Sequence, residues 1–222
     1  MSTVETERRS IERHEAGVIA GGSLGESIAG AGAVVLAIIG LAGMLQSFTL
    51  PIAVLAASAA FLFEGGTVAA RWAKLLHRLG ADPETVELGT GMSAEFLAGM
   101  AGTVLGILAL VHVMPVVLMP VAAIIFGGAL LFGSMATADF STMTLPQTEG
   151  REALRLVMRQ AVSAAAGTQT LVGLGAAALG IIALVGVGNP VVLSLVAVLG
   201  VGGALLLGGS AIGAKVLSIF QH

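Results

Sequence analysis

Glu26, Glu95 and Gln169 are the polar residues whose placement is most suggestive of chemistry. Each stands at the head of an apolar run, in Gly-Glu-Ser-Ile-Ala-Gly, Ala-Glu-Phe-Leu-Ala-Gly and Thr-Gln-Thr-Leu-Val-Gly. An acid in the first turn of a helix is favoured by the positive end of the helix dipole, and Ser23-Leu-Gly-Glu26 has the form of a capping box. On that reading the three residues start helices and do nothing else. A second reading gathers them round a shared axis as a polar gate for cations at a cytoplasmic mouth. Gln169 limits such a gate to two charges.

The remaining chemical groups are sparse. Glu64, between Phe63 and Gly65 near the end of an apolar run, is expected to snorkel to the membrane interface, with a proton or lipid-headgroup role as the sharper alternative. His112, Met114 and Met119 offer one imidazole and two thioethers, ligand types that suit copper but a set too small to predict a metal. His14 stands in Glu12-Arg13-His14-Glu15, yet the chain contains no Glu-x-x-His pair and no His-Glu-x-x-His motif, so neither a di-iron nor a zinc site is expected. Gly173-Leu-Gly175-Ala-Ala-Ala178 loosely matches a dinucleotide fingerprint but lies inside an apolar run instead of following a strand. Cysteine is absent, which excludes disulfides, thiolate metal sites and cysteine nucleophiles. Nothing resembles a serine triad or a phosphate loop. The expectation is a protein without enzymatic activity, metal or cofactor.

The elements that must carry these groups follow from composition. Of 222 residues, 56% are hydrophobic and 10% charged, with 32 glycines, no tyrosine and a net charge of -3. A soluble chain carries roughly 25% charged residues, so this composition predicts a membrane protein with no nucleic-acid partner. Apolar runs long enough to cross about 30 Å of hydrocarbon occur at about 27–45, 49–66, 96–112, 115–135, 170–186 and 190–212. They form close pairs, and connections so short force antiparallel neighbours.

The pairs are copies of one unit. Residues 115–134 agree with 190–209 at 12 of 20 positions, and 97–111 with 171–185 at 8 of 15. A first, more diverged unit keeps register with the second at a spacing of 69, pairing Glu26 with Glu95, Pro51 with Pro120 and Leu62-Phe63 with Leu131-Phe132. The predicted fold is all-α: a polytopic membrane protein of six transmembrane helices in three tandem αα-hairpin repeats, with short amphipathic interfacial helices. Hairpins are expected at 26–66, 95–135 and 169–212. A polar, amphipathic N-terminal segment (1–25), connections at 67–94 and 136–168 and a tail at 213–222 complete the chain.

In Arg71-Trp-Ala-Lys-Leu-Leu-His-Arg-Leu79 the residues Trp72, Leu75, Leu76 and Leu79 share one stripe, and Arg71, Lys74 and Arg78 lie off it, the pattern of a helix on a membrane surface. Leu154, Val157, Met158 and Ala161 repeat it beside Arg151, Arg155 and Arg159. A weaker version precedes the first hairpin, with Arg8, Arg9, Ile11, Arg13 and Val18. All ten basic residues fall on the side of the termini and long connections. That side is predicted to be cytoplasmic and the protein to reside in the inner membrane, with no cleavable secretion signal.

Inside lipid, helices associate through close van der Waals contact, which small residues permit. Such pairs recur in register at Ala33/Ala37, Gly102/Gly106 and Ala176/Gly180, and the second helices carry Ser58-Ala59-Ala60, Gly127-Gly128-Ala129 and Gly202-Gly203-Ala204. These faces are expected to pack the hairpins, and surplus ones to drive self-association or docking to a larger membrane complex. The small-residue hairpins resemble those of the proteolipids of rotary ATPase rings. Those proteins carry an ion-binding carboxylate midway along the second helix, where this chain is wholly apolar in every unit, so the resemblance implies no ion-translocating activity. Two functions remain in view: a structural or accessory membrane protein partnered by the bilayer and by copies of itself or another complex, and a small oligomeric channel or transporter gated at Glu26, Glu95 and Gln169.

Overall fold

The computed structural model describes residues 22, 24–78, 94–142 and 152–219, and side chains for residues 22, 24–66, 94–133 and 167–209. Among the described residues there are six helices and no strand: α1 Leu24–Leu41, α2 Gln46–Arg78, α3 Ala94–Leu110, α4 Pro115–Thr142, α5 Glu152–Leu184 and α6 Pro190–Ile219. Five contain stretches long and apolar enough to cross a bilayer, which marks an integral membrane protein; α3 is apolar but has 17 residues.

The basic segment with Arg71, Trp72, Lys74 and Arg78 is not a separate short helix, because α2 runs unbroken through it. Thr67-Val-Ala-Ala between Gly66 and Arg71 holds no proline or turn signal that would stop a helix. Likewise α5 begins at Glu152 and carries Arg155 and Arg159 on the same rod as its apolar stretch. Arg151, His14 and the N-terminal segment with Arg8, Arg9, Ile11, Arg13 and Val18 lie outside the described residues.

Short turns join α1 to α2, α3 to α4 and α5 to α6, and they share one geometry. Gly43, His112 and Gly186 have φ of 85°, 65° and 83°; two residues on, Leu45, Met114 and Gly188 have φ of 47°, 39° and 78°. Glycine adopts such angles freely, whereas histidine, leucine and methionine must be held there by the turn.

The centre of the bundle is made by α2, α4 and α6, which touch one another. Val54, Ala57, Phe61, Ala123, Phe126, Val198, Val201 and Leu205 are all 0% exposed, and Leu130 is 2% exposed. The Phe61 and Phe126 rings lie 5.1 Å apart at 30°. Around this core sit α1, α3 and α5, each with a buried stripe of small residues: Gly30, Ala33, Ala37 and Gly40; Gly99, Gly102, Gly106 and Ala109; Gly173, Ala176, Gly180 and Ala183. Spacings of three and four keep each stripe on one face. The opposite faces carry Val35, Ile38, Val104, Ile107 and Ile181, each at least half exposed, as a lipid-facing surface requires.

The stripes lie close to neighbouring backbone. A Cβ at Gly30 would stand 3.0 Å from the Gly202 carbonyl oxygen, one at Gly99 2.9 Å from that of Ser58, and one at Gly173 2.7 Å from that of Gly127. Deeper in the bundle, Gly106 faces Leu55 and the Pro51 carbonyl, and Gly180 faces Ile124 and the Pro120 carbonyl. Gly127 and Gly202 belong to this inward seam. Gly128, Gly203 and Gly175 meet nothing within 4 Å.

Candidate functional site

Among the described side chains, the carboxyls and Gln169 collect at the end of the bundle away from the short turns. Glu26 is 3% exposed and Glu95 8%, although each stands in the first turns of its helix. Their burial follows from helix phase: Glu26 precedes Gly30 by four residues and Glu95 precedes Gly99 by four, so each carboxyl shares the face of the buried small stripe. Gln169 stands four before Gly173 and is half-buried.

Two glycines make room for these groups. A side chain at Gly133 would collide with the Glu95 carboxylate, and a Cβ at Gly208 would stand 3.1 Å from Glu26 Oε1 and 3.6 Å from Gln169 Nε2. Glu26 of α1 and Gln169 of α5 therefore converge on one point of α6. Thr168, Gln169, Ala204, Leu207 and Gly208 line a small recess there.

Glu64 belongs to the same group, which corrects the expectation that it snorkels outward. Glu64 is half-buried with one carboxylate oxygen shielded from solvent, and its carboxyl lies in the neighbourhood of those of Glu26 and Glu95. Register sets Glu64 beside Gly133 and Gly208 along α2, α4 and α6, and in the sequence this reads as an acid without a counterpart. The sequence does not show that the two glycines are the complement of the one acid, because the groups that fill those positions come from other helices. Where Glu64 stands on α2, α4 and α6 have no side chain, and neighbouring carboxyls fill the space.

The cluster contains acids and an amide. Among the described residues no three His, Cys, Asp or Glu side chains are grouped so as to hold a metal ion. Carboxyls in such a setting can exchange a proton or attract a monovalent cation, but among the described residues the layers beyond them are mainly apolar, broken only by the isolated buried hydroxyls of Ser58 and Ser194. The next layers are Phe61, Leu130 and Leu205, then Phe126 and Val201, all at most 2% exposed. Ser58, buried farther in, donates its hydroxyl to the Val54 carbonyl at 2.8 Å.

At the turn end His112 is exposed and its ring meets Phe48 edge-on at 5.7 Å. Met114 is 65% exposed beside it, whereas Met119 is 1% exposed in the core, so the three do not present a common ligand set. Gly173, Gly175 and Ala178 lie inside α5, a helix that follows no strand among the described residues. No protein-family model matches the chain, and neither a curated protein nor a solved structure matches it.

Proposed function

We propose that this chain is a non-enzymatic integral membrane scaffold, built as three αα-hairpins round a pseudo-threefold axis and assembling with copies of itself or with a larger membrane complex. Equivalent contacts support the symmetry. Gly30 meets Gly202, Gly99 meets Ser58 and Gly173 meets Gly127, so each first helix rests on the second helix of the preceding hairpin, with the first hairpin closing on the third. The three turns carry left-handed residues at matched positions. In this reading α3 crosses the membrane with the other five helices. The basic extensions of α2 and α5 then lie on the cytoplasmic side, which a cysteine at His77 tests: it should react with an impermeant thiol reagent only after permeabilisation, and reaction in sealed cells would reverse the orientation.

The observation that carries the scaffold reading is the filled axis. Transporters place polar or broken segments near the midplane, but here that level is packed with fully buried apolar side chains, and the Ser58 hydroxyl among them is bound to its own helix backbone. Outward-facing Gly128, Gly203 and Gly175 leave open space against which another helix can close. Mass measurement in native-lipid nanodiscs should find a defined oligomer or a stable complex. A chain that stays monomeric and cross-links to nothing would refute this.

The convergence of Glu26, Glu64 and Glu95 favours one further reading, a cation or proton pathway. With the axis plugged, such a path would run between copies, with the carboxyls at its mouth. Proteoliposomes of the wild-type chain that pass no protons, sodium or potassium under an imposed potential would eliminate it.

A further inference from the structure

The turn end of the bundle is largely apolar, with Ser47, His112 and Asn189 as its exposed polar residues. Met44, Leu45, Val111, Met114, Val185 and Val187 are each at least 60% exposed there, and no charged residue lies in any of the three turns. Exposed apolar side chains normally cost solvation free energy in proportion to their area. Here they continue the lipid-facing surfaces of the helices without a break.

The backbone of the turns closes on itself. The N–H groups of Ala42, Gly43 and Met44 donate to the carbonyls of Ile38, Gly40 and Ile39; Val111, His112 and Val113 donate to Ile107, Ala109 and Leu108; Val185, Gly186 and Val187 donate to Ile181, Ala183 and Ile182. On the far side Phe48 and Thr49 donate to Leu45, Val117 and Leu118 to Met114, and Leu193 to Asn189. Polar side chains fold back in the same way. Gln46 Nε2 donates to the Gly40 carbonyl at 3.0 Å, Thr49 Oγ1 to that of Leu45 at 3.2 Å, and Asn189 Oδ1 accepts from Val191 N–H at 3.0 Å. Lipid tolerates irregular backbone only where its polar groups are satisfied internally, and these turns meet much of that demand.

Length points the same way. From Glu26 to Leu41, Glu95 to Leu110 and Gln169 to Leu184 the count is fifteen steps each, about 22 Å of helix. The hydrocarbon is about 30 Å thick. The second helices span eighteen steps from Pro115 to Gly133 and from Pro190 to Gly208, about 27 Å, so with the carboxyls at the near boundary the turns come level with the far one and go little beyond it.

We propose that the three hairpin turns are lipid-seated tips that end at the acyl–headgroup boundary of the far leaflet, with lipid as their covering partner. The bundle is thereby asymmetric: its long basic helices reach out of the membrane on one side, and its turns stay within it on the other. This rests on insertion in a membrane and holds whether the bundle is a scaffold or a channel.

The chain has no native cysteine, so single nitroxide labels at Val113→Cys and Val187→Cys report the second and third tips in the full protein, reconstituted in phosphatidylcholine–phosphatidylglycerol vesicles. A label at Val104→Cys, on the lipid face of α3, supplies the buried reference. Oxygen partitions into lipid and a neutral nickel chelate into water. Both tips should collide with oxygen several-fold more often than with the chelate, and vesicles of longer acyl chains should lower chelate access further. Chelate access matching that of a label in water would overturn the proposal, as tips that project into solvent. Low access to both probes would overturn it in favour of a protein partner, here a second copy.

Discussion

Two seams of small residues run along the second helices one residue apart, and their surroundings differ completely. Gly127 lies against the Gly173 carbonyl and the Ala177 backbone, and Gly202 against the Gly30 carbonyl and Ala33. Their neighbours Gly128 and Gly203 face open space. Adjacent residues on a helix point about 100° apart, so one glycine sets the distance between hairpins while the next is left for something outside the chain. Small size alone therefore does not identify a packing residue; the direction in which the position faces decides it.

The comparison is broken most forcefully by leucine at both positions. Gly127→Leu should cost on the order of 3 kcal/mol or more, because the new side chain meets backbone that cannot move aside, whereas Gly128→Leu should change stability by less than about 0.5 kcal/mol, as surface changes do. Reversible unfolding in mixed micelles reads both. Gly128→Leu should instead weaken self-association in nanodiscs, and equal losses of stability at the two sites would dissolve the distinction between seams.

A smaller effect is expected at the carboxyl end. Gly133→Val should destabilise by roughly 1–3 kcal/mol through overpacking against the Glu95 carboxylate. Adding Glu95→Ala should recover part of that loss, because removing the carboxyl frees the space that valine needs. A double variant as unstable as the sum of the singles would show that Gly133 is not there to seat Glu95.

Glu26→Gln and Glu95→Gln should each cost from a few tenths to about 1 kcal/mol if the acids serve the helix starts. Assembly would be unchanged by native mass measurement. If wild-type vesicles do carry a cation current, its loss in the double variant with assembly intact would move the function from scaffold to pathway.

The smallest effect is expected in the turns. His112 holds φ of 65° where the matching residues of the other turns are Gly43 and Gly186. His112→Gly should raise stability by up to about 1 kcal/mol through relief of the left-handed conformation, while Val113→Gly, whose φ is not positive, should not. Thermal or denaturant midpoints of the two variants suffice to check this.

Much of the architecture is legible in the sequence because it depends on local periodicity. Runs of apolar residues bounded by Glu26, Glu95 or Gln169, by glycine-rich turns and by Pro190 mark helices wherever they are placed. Register comparison also aligns the stripe at Ala33, Gly102 and Ala176 from the sequence alone. Helix ends were less legible: α2 and α5 run on through their basic segments, since a change from apolar to charged residues alters the solvent of a helix without breaking its hydrogen bonds.

Determined by the sequence alone, then, are the helices, their apolar lengths, the matched small residues and the confinement of charge to one end, all properties of a residue and its near neighbours in the chain. Left to the tertiary structure were the inward turn of Glu64, the seats that Gly133 and Gly208 provide for carboxyls of other helices, the different surroundings of Gly127 and Gly128, and the apolar plug of Phe61 and Phe126. Each depends on which helix lies opposite. A helical residue has a fixed direction relative to its own axis, but its partner is chosen only when that axis is placed among the others.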